Sequence, residues 1–145
     1  MQRKSLKIRF PTDEQVPNHL IRHFIRGYYD GDGSISISKD TAPKLTVTVT
    51  SSVFFCEYLM NLIKEKLNFN TKLKNYENPL TKTLVMCGSR QCLWFLDWLY
   101  SDCKVKLDRK YNKFIEFLTQ CSNRVSLLRT GGSKLEIVPL VEKYV

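Results

Sequence analysis

The chain switches its period of apolar residues twice over, from helix to paired strands and then again from helix to paired strands. After Asn18, a capping residue, Leu20, Ile21, Phe24, Ile25, Tyr28 and Tyr29 recur at the spacing of one helix face. That run ends in Asp-Gly-Asp-Gly. Next, SISISK places Ile35 and Ile37 against Ser34, Ser36 and Ser38, the period of a half-buried strand. KLTVTVTS repeats the pattern with Leu45, Val47 and Val49, so the two predict a hairpin. Residues 53–67 predict a second helix, with Phe55, Leu59, Leu62, Ile63 and Leu67 inward. NTKLKNY and TKTLVMC, joined by the turn residues ENPL, predict a second hairpin. Ser89 is placed to cap a third helix, QCLWFLDWLYS, and Leu107, Tyr111, Phe114, Ile115 and Leu118 mark a fourth. The tail from Ser122 carries Gly131-Gly132 and the strand-like LEIVPL. This order fits an α+β domain with a four-stranded antiparallel sheet and helices on one face. The other face is left to solvent or to a partner.

At 145 residues the chain is about one domain's length, and 43% apolar content can build a core that a disordered chain cannot. No apolar run reaches the roughly 20 residues of a membrane span, and the basic N-terminus MQRKSLKIRFP lacks the apolar stretch of a signal peptide. The expectation is therefore an intracellular protein with no membrane partner. A net charge of +9 favours a polyanion as partner. The five cysteines are odd in number and form no CxxC, which fits reduced thiols and no zinc site. His19 and His23 have HxxxH spacing without a third ligand, and read as a solvated helix face. No phosphate-binding glycine loop or nucleophile elbow appears, so no small-molecule substrate is expected.

The stretch FIRGYYDGDGS, Phe24 to Ser34, breaks local rules. Glycine costs a helix interior about 1 kcal/mol against alanine, yet Gly27 lies inside the run. Phe24, Gly27 and Gly31 share one stripe, and bare glycines four apart let another helix approach at backbone distance. The competing reading makes Gly31 and Gly33 cap residues and leaves Gly27 unexplained. Asp30 and Asp32 stand at a helix C-terminus, where the macrodipole disfavours negative charge. Either a divalent cation such as Mg²⁺ holds them, or they are ordinary Asp-Gly turn residues.

Two further patterns concern polyanions. The outward residues of the first hairpin are Ser34, Ser36, Ser38, Lys44, Thr46, Thr48 and Thr50, with Lys39 at its turn, and Lys72, Lys74 and Lys82 join from the second. Hydroxyls and ammonium groups on such a face can reach base edges and phosphates, or simply face water. CKVKLDRKYNK gathers Lys104, Lys106, Arg109, Lys110 and Lys113 as a solvated run or a phosphate contact.

IRGYYDGDG, Ile25 to Gly33, resembles the LAGLIDADG motif of the homing endonucleases, matching it at Gly27, Asp30, Asp32 and Gly33. The following SISI, the element order and the segment Phe95 to Phe114 also resemble the family, whose domain is αββαββα. The resemblance spans about residues 18–121. It implies that the motif helices of two domains pack through Phe24, Gly27, Asp30 and Gly31. It also implies that Asp32, with the Gly31 carbonyl, binds Mg²⁺ beside the scissile phosphates, with Mn²⁺ or Ca²⁺ able to substitute. The sheet would lie in the DNA major groove, and one phosphodiester per strand would be hydrolysed. Supporting polar groups fall near Ser51 or Ser52 and at a basic residue near Lys106, for which Lys104 and Lys110 are alternatives.

The motif occurs once, and FLDWLYSD has acids without the glycines. One motif implies one catalytic aspartate, so cutting a duplex implies a homodimer on a near-palindromic site. Half of a longer two-motif protein is the other arrangement. The expected division is a basic leader arm over 1–17, the endonuclease domain over 18–121 and a tail over 122–145 of unassigned role. A DNA-binding regulator without catalysis and an RNA maturase on the same scaffold are the alternatives in function.

Overall fold

The computed structural model describes residues 14–15, 17–39, 43–75, 79–86, 88–101, 103, 106–122 and 137–145. The leader before Glu14, the centres of both hairpin turns, Cys87, Lys104 and the tail from 123 to 136 lie outside the described residues. The elements are α1 (Ile21–Asp32), β1 (Gly33–Ile37), β2 (Leu45–Ser52), α2 (Val53–Leu67), β3 (Lys72–Asn75), β4 (Thr81–Met86), α3 (Ser89–Tyr100), α4 (Asp108–Ser122) and α5 (Val138–Tyr144). The four strands form one antiparallel sheet in the order β1-β2-β4-β3, so the second hairpin inserts its later strand beside β2. This is the α+β arrangement that the periodicity predicts.

Alternation decides which face is covered. Leu45, Val47 and Val49 of β2 are buried, and so are Leu84 and Met86 of β4 and Ile35 of β1. Against them pack Phe55, Leu59 and Ile63 of α2, Leu93 and Leu96 of α3, and Phe114, Phe117 and Leu118 of α4. The opposite face carries Ser34, Ser36, Thr46, Thr48, Thr50, Lys72 and Lys74, in mutual register through Ser34–Thr48, Ser36–Thr46 and the pairing of Lys72 with Val85. Register corrects one expectation. Lys82 pairs with Ser51 and Asn75, which puts it at the end of the helix-bearing face, where its ammonium donates to Asn75 Oδ1. A period of two leaves no room for Lys74 and Lys82 on the same face, given that Lys74 pairs with Thr83.

Helix ends show where local signals hold. Ser52 Oγ accepts from the Phe55 N–H at 3.2 Å and caps α2, which ends on Asn68 in the left-handed region (φ 59°, ψ 40°). Ser89 does not cap α3. The cap position is Gly88, at φ +116°, and Ser89 Oγ accepts from the Leu45 N–H at 3.0 Å, tying α3 to β2. The cap position of α1 falls on Leu20 after a short 3₁₀ turn, Asn18–Leu20, with no side-chain cap. Leu107 is not on the core face of the fourth helix; it precedes α4 and is 41% exposed.

Arginines on α1 complete α3 instead. Arg22 Nη1 donates to the carbonyls of Ser101 (2.9 Å) and Trp98 (3.3 Å), and Arg26 Nη1 to Leu99 (2.9 Å). The last carbonyls of a helix have no partner within it and carry partial negative charge, so two cations settle there favourably.

The tail segment expected to be strand-like is helical over Val138–Tyr144, with Pro139 in its first turn, where a missing N–H costs nothing. Ile137 and Leu140 are buried, and the Tyr144 ring meets Phe114 edge-on at 4.9 Å. Asp97 accepts from Lys143 Nζ (2.9 Å) and the Tyr144 hydroxyl (2.8 Å), which explains the acid in FLDWLYSD. Deleting residues 137–145 is expected to cost about 2–5 kcal/mol, the range for emptying one large buried site, because it uncovers the core around Ile137, Leu140 and the Tyr144 ring. Urea unfolding of the full and shortened chains measures this, and equal midpoints would show that α5 is dispensable.

Cys56, Cys92 and Cys121 are buried free thiols and Cys103 is partly buried, in line with the reduced reading. Burial pushes the Cys56 thiol up to about 11. Among the described residues no helix is long and apolar enough to cross a membrane.

Candidate active site

The end of α1 meets three elements. Asp32 is its last residue, Gly33 caps it by donating its N–H to the Tyr29 carbonyl, and β1 begins at once. Gly33 is extended (φ −77°, ψ 169°), so no left-handed turn demands glycine here. Close approach does. A Cβ at Gly33 would stand 2.3 Å from Tyr29 Cδ1 and 2.7 Å from the Tyr29 oxygen.

The two aspartates have different surroundings. Asp30 Oδ1 accepts from the Tyr100 hydroxyl at 2.7 Å, and Oδ2 from the Leu107 N–H at 3.0 Å. Its carboxylate is therefore engaged inside the chain. Burial raises the pKa of the Tyr100 hydroxyl, and its bond to Asp30 adds to the rise. Asp32 is exposed and makes no hydrogen bond or ion pair among the described residues.

Lys110 answers why a helix C-terminus tolerates two acids. Its ammonium donates to the carbonyls of Tyr29 (2.7 Å), Asp30 (2.9 Å) and Gly33 (2.5 Å), and lies 5.1 Å from the centre of the Tyr29 ring. The residue is 4% exposed, so it is not part of a solvated charged face. Burial pulls its pKa below the usual value, while Asp30 and Asp32 pull the other way. A charged donor at a hydrogen-bonded helix end contributes about 1.5–3 kcal/mol per bond made. The sequence signal was available in principle: a lysine in the first turn of α4 opposes that helix's own dipole and needs a partner elsewhere.

The glycine stripe faces outward. Gly27 and Gly31 are exposed, and a Cβ at either would meet nothing within 4 Å. Among the described residues nothing explains their lack of side chains. Leu20, on the same side of the helix, is 43% exposed and Phe24 is half-buried. Gly27, His23, Arg26 and Asp30 line one wall of a shallow cleft whose other wall is Lys106 and Leu107. Lys106 Nζ sits 4.6 Å from the centre of the Tyr111 ring.

The remaining sequence-named residues divide. Ser51 is buried and its Oγ shares a 2.7 Å hydrogen bond with the Tyr28 hydroxyl. Ser52 is buried as the α2 cap, its Oγ engaged by the Phe55 N–H. Ser38 Oγ accepts from the Lys44 N–H at the hairpin end, and Lys39 and Lys44 are exposed there. Thr50 and Thr83 share a 2.9 Å hydrogen bond across the strands.

Among the described residues no three His, Cys, Asp or Glu side chains gather. A cation here would rest on Asp32, with the Gly31 carbonyl beside it and oxygens from outside the chain. Hard oxygen donors, one of them an exposed carboxylate without a hydrogen-bond or ion-pair partner among the described residues, fit Mg²⁺.

The family profile described as a LAGLIDADG-like domain matches residues 19–99, which contain α1, the whole sheet and nearly all of α3. No curated protein sequence matches the chain. Among solved structures, the chain is similar to the group I intron-encoded homing endonuclease I-CeuI complexed with DNA, at 17% identity and a TM-score of 0.54, covering 99% of this chain and 72% of that one. It is also similar to the archaeal intron-encoded homing endonuclease I-Vdi141I complexed with DNA, at 19% identity and a TM-score of 0.52, covering 87% and 82%. The homing endonuclease I-CvuI, in complex with the I-CreI target in the presence of Mg, matches at 13% identity and a TM-score of 0.52, covering 88% and 83%. At these identities the likenesses establish the fold, and the profile match over more than half the chain establishes the lineage: the chain belongs to the LAGLIDADG homing endonuclease family.

Proposed function

We propose that two copies of this chain form a Mg²⁺-dependent, site-specific DNA endonuclease that hydrolyses one phosphodiester in each strand of a long, near-palindromic site. The observation that carries this reading is the pairing of an uncovered glycine stripe with an exposed carboxylate, Asp32, that makes no hydrogen bond or ion pair among the described residues and lies eight residues beyond Phe24 on the same helix. Two such helices meeting through Gly27 and Gly31 would bring two Asp32 carboxylates together at one end of the pair. Family membership and the DNA complexes of the similar structures support the substrate.

Each residue then has a physical task. Asp32 and the Gly31 carbonyl would hold the cation, which supplies Lewis-acid polarisation of the phosphate and activation of water. Ser34, Ser36, Thr46 and Thr48 offer hydroxyl donors and acceptors to base edges, with Lys72 and Lys74 at the far edge of the sheet for phosphates. Lys39 and Lys44, exposed at the hairpin end, add to the same surface. Lys106 borders the cleft beside α1 and would face a backbone phosphate. Residues 18–121 hold all of these groups. A carboxylate facing a phosphate without a cation would repel it, which favours catalysis over a purely binding role.

The test has two parts. Sedimentation equilibrium is expected to give twice the 17.0 kDa of the chain. Incubation with a plasmid library of randomised inserts is expected to linearise a sequence-defined subset in Mg²⁺ and none in chelator. A monomer in both free and DNA-bound states would overturn the homodimer, and cleavage in chelator would overturn the metal requirement.

A further inference from the structure

We infer that Asp30 and Lys110 form a reciprocal cap between α1 and α4, and that Lys110 is thereby a positioning residue for the Asp32 carboxylate and the Gly31 carbonyl. The inference rests on the metal reading of Asp32 given above. The acid of α1 accepts the N–H of Leu107, the cap position of α4, and so does for α4 what the returning carboxylate of a capping box does within its own chain segment. The lysine of α4 donates to three carbonyls that span the last turn of α1 and its exit into β1. One acceptor is available for each ammonium proton, and all three are backbone carbonyls of the same chain. Carbonyls of Tyr29, Asp30 and Gly33 bracket Gly31 and Asp32 on both sides, so the path of the two ligand-bearing residues between them is fixed from α4. Tyr100 holds the same carboxylate from α3, and Lys113 Nζ reaches the Ile35 carbonyl at 3.4 Å further along β1. The two helices are locked to each other at the point where α1 delivers Asp32.

Charge and position predict opposite outcomes. If Lys110 acted only as a nearby positive charge, removing it would draw a cation more tightly to Asp32. If it positions the ligands, removing it would weaken binding by about 10-fold, the usual size for loss of a group supporting metal ligands. The experiment titrates Mn²⁺ alone into the ¹⁵N-labelled full chain and follows paramagnetic broadening of the Gly31, Asp32 and Gly33 amide signals. Wild type, Lys110→Met and Asp32→Asn are compared, with amide exchange at Gly33 and binding of a random-sequence duplex in chelator measured alongside.

The expected result is a Mn²⁺ midpoint raised about 10-fold in Lys110→Met, faster exchange at Gly33, and duplex affinity within about 3-fold of wild type because Lys110 does not face solvent. A midpoint unchanged or lowered would overturn the positioning role, and a large loss of duplex affinity would make Lys110 a phosphate contact instead. Should Lys110→Met fail to fold by circular dichroism, Lys110→Gln carries the same comparison. Failure of both to fold would make Lys110 a determinant of the fold and overturn the narrower role. Broadening retained in Asp32→Asn would sink the metal reading itself, and the exchange at Gly33 would still report on the cap.

Discussion

Asp32→Asn is expected to lower strand cleavage by about 10³-fold or more while leaving duplex affinity and folding nearly unchanged. The substitution keeps shape and removes only charge. Because Asp32 makes no hydrogen bond or ion pair among the described residues, the fold loses nothing by it. Surface changes of this kind stay within about 0.5 kcal/mol. The loss falls on the reaction, where a cation at the phosphate supplies several kcal/mol of transition-state stabilisation and each 1.4 kcal/mol or so is tenfold in rate. Fluorescence anisotropy with a labelled duplex measures binding, and conversion of supercoiled plasmid measures nicking and cutting. Cleavage at wild-type rates would remove Asp32 from the chemistry. A parallel loss of binding would point to a structural role that the geometry does not show.

Gly27→Leu is expected to separate folding from assembly. Since a Cβ at Gly27 meets nothing within 4 Å, a leucine there fits the lone chain without strain. On an exposed helix surface it should stabilise the chain by up to about 1 kcal/mol through helix propensity. The same side chain would stand between two helices that meet at backbone distance, and the dimer should dissociate at concentrations where wild type remains paired. Sedimentation velocity against thermal unfolding reads both quantities. A dimer that survives with an intact sedimentation coefficient would rule out pairing through this stripe. Gly33 gives the contrasting case within the same motif, since its missing side chain is required by Tyr29 in the same chain and not by a second copy.

The parts of the fold that sequence revealed are those set by local period. The second helix begins and ends where its apolar spacing says, at Val53 and Leu67, because Ser52 caps it and Asn68 turns out of it. The alternation of Ile35, Leu45, Val47 and Val49 fixes the covered face of the sheet. What stayed hidden depends on partners distant in the chain. Lys110 looked like one charge in a basic run, and only the approach of α4 to the end of α1 shows it engaged with three carbonyls. Ser89 has the composition of a cap, but the neighbouring β2 claims its hydroxyl. Lys82 was assigned by composition, whereas its face is set by the register of β4 with its neighbours β2 and β3. The tail helix was hidden by the strand preference of β-branched Ile137 and Val138; Val138 is exposed, and the burial of Ile137 at the cap position and of Leu140 within the helix decides the outcome. At the site, Asp32 and the glycines could be picked out because they violate helix rules, while the distinct employment of Asp30 needed the positions of Tyr100 and Leu107.

The cations spent on helix ends also alter how the protein should respond to salt. Arg22, Arg26 and Lys110 discharge onto backbone carbonyls of α1 and α3 and their exits, so they are unavailable to neutralise phosphates. Each phosphate neutralised by a side chain releases condensed counterions and steepens the fall of affinity with ionic strength by nearly one logarithmic unit per contact. The formal +9 therefore overstates the number of ions this protein can displace from a duplex. On the proposed reading, its grip on DNA would draw proportionally more on hydroxyl contacts of the sheet, which persist when ionic strength rises.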